Sequence, residues 1–400
     1  MRSGIDMAQA VQHDDSTQVA AESDTADSRS LSIVGVDPEI GFSGGETQVL
    51  GLTLALANGG HRAELICDPT GELWERARVA GVKCHPLRIR NAIDLVAGMR
   101  LRAILRRERF DVVHFHTSRA HSMAPLVRGV ARATIVTRRM DYAPNRVFAP
   151  YLYNRAVDGV IAISGGVADS LASAGVDRSR VTIVNSGVDC DRFRPPTSDE
   201  RAAARAAFNI SDGEFLVCAI GALEQRKGHR YLIEAIGTLA ANGNFRCLIA
   251  GQGAIGSILQ HEIAIIRLRD RIKLLGRVDD TRELLWASDA FAMPSLKEGL
   301  GVAALEAMAS GLPVIASNVG GLRDVIEQNR SGNLVPPGSA NMIASAVEWL
   351  AKSDELRSRM GEIARARVTK DYSIESMAAR TLAMYRACVE KTGRERGGVA

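Results

Sequence analysis

From residue 31 onward the chain repeats one pattern. A short, nearly continuous apolar run is followed by a glycine-bearing or polar turn, then by a longer segment with apolar residues at helical spacing. LSIVGVD (31–37) reads as a buried strand, EIGFSGGETQ as a glycine-rich turn, and VLGLTLALANGG as an apolar helix closed by Gly59 and Gly60. RAELICD is the next strand, followed by a helix over 73–80, a strand over 83–87 and a basic helix within IDLVAGMRLRAILRRERF. DVVHFH (111–116) is a strand and SMAPLVRGVA its following helix. TIVTRR, GVIAIS and VTIVNSG are three further strands, alternating with helical segments at 146–157 and 165–174. Strands that are apolar throughout are buried on both faces, so this alternation predicts a parallel sheet covered by helices on both sides.

The pattern breaks at VDCDRFRPPTSDE, where Pro195 and Pro196 precede a charged run, and then restarts. EFLVCAIG, FRCLIAG, IKLLG and DAFAMP are strands, separated by the helices YLIEAIGTLAANG, SILQHEIAIIRL and ELLWAS. After DAFAMP come a helix over 302–310, stopped by Gly311 and Pro313, and the strand PVIAS. Gly320 and Gly321 open a further helix; GNLVPP is a strand, and helices follow at 341–351, 354–368 and 373–390. The prediction is an α/β protein of two Rossmann-like, doubly wound domains facing an interdomain cleft. Its expected parts are an N-terminal extension (1–30), a first domain (31–190), a hinge (191–206) and a second domain (207–372), then a terminal helix (373–392) and a basic tail (393–400). Ligands of such sheets bind at the carboxyl ends of the strands.

Composition narrows the class. The 400 residues are 46% hydrophobic and 24% charged, enough for two ordinary cores, and no apolar run reaches the roughly 18 residues that span a bilayer. Residues 1–30 are polar, with neither an apolar core nor a basic start, so they read as disordered and not as a signal peptide. Six scattered cysteines, with no CxxC pair and no histidine cluster, point to reduced thiols in the cytoplasm and to no metal site. The net charge is only +4, but residues 76–139 hold fourteen Arg and one Lys against three acids. Two readings of the Arg-rich 88–109 stretch stay open: a solvated helix, or a patch for an anionic membrane surface or a phosphorylated acceptor. Nucleic acid is not expected, because no helix-turn-helix, zinc or base-stacking pattern accompanies the charge.

Three loops at strand carboxyl ends share a chemical theme. In SLKEGLGVAALEAMASGLPVIASNVGGLRDVI (295–326), Glu298 and Glu306 flank the start of a helix whose amide N–H groups and dipole favour an anion such as phosphate. GFSGGE, with Gly44, Gly45 and Glu46, opens the first helix of the chain in the same manner. It is not the G-x-G-x-x-G dinucleotide fingerprint, and no acid follows at the spacing a ribose needs, which counts against NAD. GALEQRKGH places Arg226 and Lys227 at a strand–helix junction, two cations suited to a diphosphate whose charge grows as its bond breaks. Two phosphate-directed loops and two carboxylates for hydroxyls describe a nucleotide-sugar site. No Asp-x-Asp metal ligand pattern lies beside it, so Arg226, Lys227 and the helix dipole are left to neutralise the phosphates. Each loop alone also reads as an ordinary tight turn with solvated charges.

The segment EGLGVAALEAMASGLPVIAS-x-x-GG resembles the signature of the retaining, two-domain GT-B glycosyltransferases of family four. SGGE, DVVHFHTS, VIAIS, VNSGVD-x-x-RF-x-P and RKG-x-x-x-LI-x-A fit that family in the same order, over nearly the whole chain after residue 30. The resemblance implies an N-terminal acceptor-side domain, a C-terminal nucleotide-sugar-binding domain and a last helix crossing back to the first. It implies that Glu298 meets the donor sugar's hydroxyls and Glu306 the ribose. The backbone of Gly299, Leu300 and Gly301, with Arg226 and Lys227, would hold the diphosphate. Gly44 and Gly45 would approach the donor, and Glu46 and Arg139 would face the acceptor. Two departures stand out. Ala222 follows Gly221 where many members carry Arg, which leaves Arg226 as the replacement. Arg138 and Arg139 also stand where several members place a cleft His, which leaves His116, or else His114, as the cleft imidazole.

The expected activity is retaining hexosyl transfer from a UDP- or GDP-type sugar to a glycan or lipid-linked hydroxyl, in cell-envelope glycolipid or polysaccharide synthesis. A front-face route without metal is expected, in a cytoplasmic protein that can lie on the inner face of the plasma membrane. The alternatives are a nucleotide-sugar epimerase on the same fold and a non-catalytic nucleotide-sugar-binding protein.

Overall fold

The computed structural model describes residues 29–240 and 243–397. The extension expected at 1–30 therefore falls, apart from Arg29 and Ser30, outside the described residues. The first half runs β1 (Ser32–Asp37), α1 (Gly44–Asn58), β2 (Arg62–Cys67), α2 (Glu72–Val79), β3 (Cys84–Pro86), α3 (Leu95–Glu108) and β4 (Val112–Phe115). It continues with α4 (Ser118–His121), α5 (Ala124–Val127), β5 (Ala133–Arg138), α6 (Ala149–Arg155), β6 (Gly159–Ala162), α7 (Gly165–Ser173) and β7 (Val181–Ile183). These strands pair in parallel in the order β3-β2-β1-β4-β5-β6-β7. The order reverses between β1 and β4, so the first sheet's ligand crevice opens beyond the ends of those two strands.

The second half begins with α8 (Ser198–Ala207), β8 (Phe215–Ile220), α9 (His229–Ala240), β9 (Phe245–Ala250), α10 (Gly256–Ile265), β10 (Ile272–Gly276) and α11 (Arg282–Ala287). After these come β11 (Ala290–Met293), α12 (Val302–Ala309), β12 (Val314–Ser317), α13 (Leu322–Val325), β13 (Gly332–Val335), α14 (Ala340–Ala351), α15 (Asp354–Asp371) and α16 (Ile374–Gly397). Its sheet is ordered β10-β9-β8-β11-β12-β13, with the switch point between β8 and β11. The doubly wound α/β architecture expected from the apolar runs is present in both halves. Strands β4, β5 and β11 are buried at every position, as strands covered on both faces must be.

Three local expectations are corrected. SMAPLVRGVA is not helical throughout: only Ala124–Val127 (α5) is, after the short α4 ends at His121, with Pro125 in the first turn of α5, where proline's missing N–H is tolerated. The segment expected as a hinge at 191–206 is helical from Ser198. Thr197 and Glu200 close a capping box there, and Arg201 bonds the carbonyls of Trp286 and Ser288 at 2.9 and 2.8 Å. That helix therefore belongs to the second domain. The tail expected from residue 393 instead continues α16 to Gly397.

The chain crosses between domains twice at one place. Val188 N donates to Tyr372 O at 2.8 Å and Ile374 N to Val188 O at 3.1 Å. Beyond this point α16 lies on the first domain, where Tyr385 Oη bonds His114 Nδ1 at 2.6 Å beneath β4. No helix among the described residues is long and apolar enough to cross a membrane.

Candidate active site

The second sheet's switch point holds a tightly paired group. β8 leads into the 221–229 loop and β11 into the 294–301 loop. Leu296 N donates to Arg226 O at 2.7 Å, which ties the two loops together. Lys227 Nζ then reaches Glu298 Oε2 at 2.6 Å, and Ser295 Oγ donates to the same oxygen at 3.1 Å. Both partners are largely buried, so their geometry is held and not averaged by solvent. With Oε2 engaged twice, Oε1 is the atom of Glu298 left for a hydroxyl.

Glycines decide the shape here. Gly301, which precedes α12, has φ +93, and a Cβ there would meet Leu322 Cδ2 at 2.7 Å and Met293 Sδ at 2.9 Å. Gly320 has φ +48, and its Cβ would overlap the Glu298 carbonyl oxygen at 1.7 Å. Only glycine allows the loop before α12 and the loop before α13 to lie this close. Among the described residues no side chain caps α12, so its first N–H groups and the positive end of its dipole are left without a capping hydrogen bond, next to the Glu298 side chain. Leu300 is buried in the core and offers only its backbone. Glu306, on the second turn of α12, is half-buried. Burial pushes its carboxyl up to about 7, against the pull of Arg192 and with the push of Asp280.

Arg226 stands differently from its neighbour: it is exposed, and its guanidinium pairs with Glu224 at 2.7 Å. His229, which begins α9, was not singled out in the sequence. It is buried beside Lys227 with neither ring nitrogen hydrogen-bonded, and burial lowers it to about 4.

The first domain faces this group across a narrow cleft. At Gly299 the two walls touch, since a Cβ there would lie 2.7 Å from Arg139 O. Glu72 and Arg277 bridge the domains at 3.0 Å, and Gly165 N donates to Asp324 Oδ2 at 3.2 Å. The α1 start, expected to resemble that of α12, is already filled. Ser43 N and Oγ both donate to Glu46 Oε2 at 2.7 Å, a capping box that places a carboxylate at Gly44 and Gly45.

Of the two candidate imidazoles, His114 is closed off, bonded to Tyr385 Oη and Thr137 Oγ1 at 2.6 Å each. His116 lies against it, with ring centroids 3.9 Å apart and planes tilted by 42°, and its buried Nδ1 has no partner among the described residues; burial holds it well below the usual imidazole range. Arg139 sits near both Asp37 and Glu46, and burial pulls its pKa down against their field. Asp37 was missed in the sequence. Its one signal was an acid ending the strand at which the sheet order reverses.

Three potential metal ligands converge at Glu64, His85 and Glu108, among the described residues. Arg62 and Lys83 already neutralise the two carboxylates there.

Family models match the chain in sequence order: Glycosyltransferase Family 4 over residues 42–192 and Glycosyl transferases group 1 over residues 200–367. An uncharacterised glycosyltransferase of Methanocaldococcus jannaschii is 26% identical over 368 residues, 86% of this chain and 94% of its own. D-inositol 3-phosphate glycosyltransferase of Mycobacterium bovis is 30% identical over 302 residues, which are 73% of this chain and 60% of that enzyme. Among solved structures, Anabaena HepE in complex with UDP and glucose superposes with a TM-score of 0.80 at 18% identity. That alignment covers 88% of this chain and 99% of HepE.

Proposed function

The chain belongs to the family-four glycosyltransferases of GT-B fold, and we propose that it moves a hexose, with retained anomeric configuration, from a nucleoside diphosphate sugar to a hydroxyl acceptor. The observation that carries this reading is the Lys227–Glu298 pair set beside the uncapped start of α12. An anion seated on the N–H groups of α12 lies next to the Lys227 ammonium, as a donor diphosphate requires. Glu298 Oε1 then orients the sugar. Glu306, with its carboxyl pushed to about 7, can both donate to and accept from ribose hydroxyls. HepE, solved with UDP and glucose, supports a uridine donor by likeness of fold.

Glu298 is a poor nucleophile, because Lys227 and Ser295 already hold its charge, so a double displacement like that of retaining glycosidases does not suit the site. In the front-face route the bond from sugar C1 to the diphosphate oxygen breaks and the acceptor oxygen bonds C1 on the same side. The acceptor proton passes to the leaving phosphate oxygen. Lys227, the α12 start and Arg226, once it leaves Glu224, balance the growing charge. Transfer should therefore persist in EDTA. Glu298→Gln should lower turnover by about two orders of magnitude with an unchanged melting temperature; near-normal turnover would remove Glu298 from the reaction.

The acceptor belongs to envelope glycolipid or polysaccharide synthesis on this reading. Its support is the start of α3, where Ile93 (83% exposed), Leu95 and Met99 stand in solvent among the arginines of the 88–109 stretch. Apolar residues ringed by cations suit an anionic leaflet. Sedimentation with phosphatidylglycerol vesicles but not with phosphatidylcholine vesicles is expected; equal recovery with both would discard the membrane role.

A further inference from the structure

We propose that Asp37 and Arg139 form an acceptor subsite for a neutral polyol, at the switch point of the first sheet. The proposal rests on the glycosyltransferase reading above and adds to it the class of acceptor.

The position follows from the strand order. Asp37 ends β1, His116 follows β4 and Arg139 follows β5, three adjacent strands at the carboxyl edge where a doubly wound sheet binds ligands. Strand alternation turns all three to one face. His114 and Thr137, two residues earlier on β4 and β5, bond each other there at 2.6 Å. A Cβ on Gly35, two residues before Asp37, would lie 3.1 Å from His116 Nε2. The start of α1 covers the same face, with Arg139 Cδ 3.9 Å from where a Gly45 Cβ would be. The donor loop borders it, through Gly299 against Arg139 O.

The polar atoms of this group are left over. Asp37 is 1% exposed and its Oδ1 accepts from Glu39 N at 3.1 Å, but its Oδ2 has no partner among the described residues. Arg139 Nε and His116 Nδ1 are also buried without partners. Among the described residues no carboxylate lies within 4.0 Å of the Arg139 guanidinium, although Asp37 and Glu46 are close enough to perturb it. Buried polar atoms left unpaired destabilise a fold, and several at one place are retained where a ligand supplies the partners. An acceptor atom and a donor atom on one face of adjoining strands, close enough for their charges to interact but not bonded to each other, match a hydroxyl that donates to Asp37 Oδ2 and accepts from Arg139 Nε. His116 Nδ1 offers a place for a neighbouring hydroxyl.

Charge separates a polyol from its phosphate ester. The acids on this wall are Asp37, Glu39 and Glu46; the cations are Arg139 and Arg119, the latter spent on Glu39 at 3.1 Å. Among the described residues, a phosphate dianion placed here would meet one free cation and two or more carboxyl groups. A neutral sugar or cyclitol face meets no such opposition.

The test uses the full chain and the nucleotide sugar, of UDP-glucose and GDP-mannose, that it hydrolyses. Neutral acceptors (methyl α-glucoside, myo-inositol) are compared with phosphorylated ones (glucose 6-phosphate, myo-inositol 3-phosphate). The neutral member of each pair should have at least tenfold higher kcat/KM. Asp37→Asn and Asp37→Ala should raise acceptor KM at least tenfold relative to donor KM, with melting temperatures checked for both. Preference for the phosphate esters, transfer to none of the four, or an acceptor KM unmoved in both variants overturns the subsite. A wild-type chain that hydrolyses neither donor overturns the transferase reading instead, and the subsite falls with it.

Discussion

Two helix starts face each other across the cleft, and the sequence presents them almost alike. Each follows a buried strand, carries glycines and has a glutamate nearby. At α1 the glutamate turns inward: Glu46 completes a capping box with Ser43, so the helix end already holds a carboxylate. At α12 the glutamate turns outward: Glu298 pairs with Lys227, and no side chain caps the helix. Spacing separates the two outcomes. Glu46 stands at the third helical position, where its carboxylate reaches back to the cap residue. Glu298 precedes the left-handed Gly301 and cannot make that return. A glycine-rich helix start is therefore an anion site only when its own sequence does not cap it.

The largest effect should come from breaking the α12 side. Lys227→Ala should lower kcat by about two to three orders of magnitude, and Lys227→Ala with Glu298→Gln should be little worse than the more damaging single change. Additive losses in single-turnover assays would show that the two groups do not act as a unit. Next, Arg226→Ala should cost about tenfold in kcat/KM, since its resting partner is an exposed Glu224 and such pairs contribute little by themselves. A loss matching that of Lys227→Ala would place the guanidinium fully on the diphosphate.

Smaller effects test the α1 side. Ser43→Ala should lower stability by about 1 kcal/mol in urea unfolding while donor KM stays within about threefold. A tenfold rise in donor KM would make α1 a second phosphate site and erase the contrast. The smallest effect is on pH dependence. The folded-state pKa of Asp37, about 7, lies above its ordinary 3.8, because burial and Glu46 raise it. The folded chain keeps a proton that the unfolded chain releases, so this group makes stability fall between about pH 4 and 7. The folded-state pKa of His229, about 4, lies below its ordinary 6.5, so His229 makes stability rise between pH 4 and 6.5. Asp37→Asn should therefore steepen the rise in unfolding midpoint from pH 4.5 to 6.5, and an unchanged slope would mean that Asp37 is not buried as a titrating group.

Much of this protein was legible residue by residue. The strand at Val314–Ser317, the helix at Val302–Ala309 and the glycine stop after it fell within a residue or two of expectation, because period, proline and glycine act over one or two turns. α8 is hard to see in the sequence because Pro195 and Pro196 overshadow the capping signal of Thr197 and Glu200 that follows them. Asp37 carries only the weak local signal of an acid at a strand end, which resembles any turn residue.

The two doubly wound sheets, the glycines that shape the donor loop and the family are all written in patterns that a few neighbouring residues enforce. Which polar groups are spent and which are left follows from how the strands and loops meet in space. Lys227 and Glu298 lie 71 positions apart and His114 and Tyr385 271 apart, yet each pair is bonded at 2.6 Å. Asp37, His116 and Arg139 meet with atoms unpaired. The physical reason is that a hydrogen bond or its absence depends on distance in space, which strand order sets and local sequence does not.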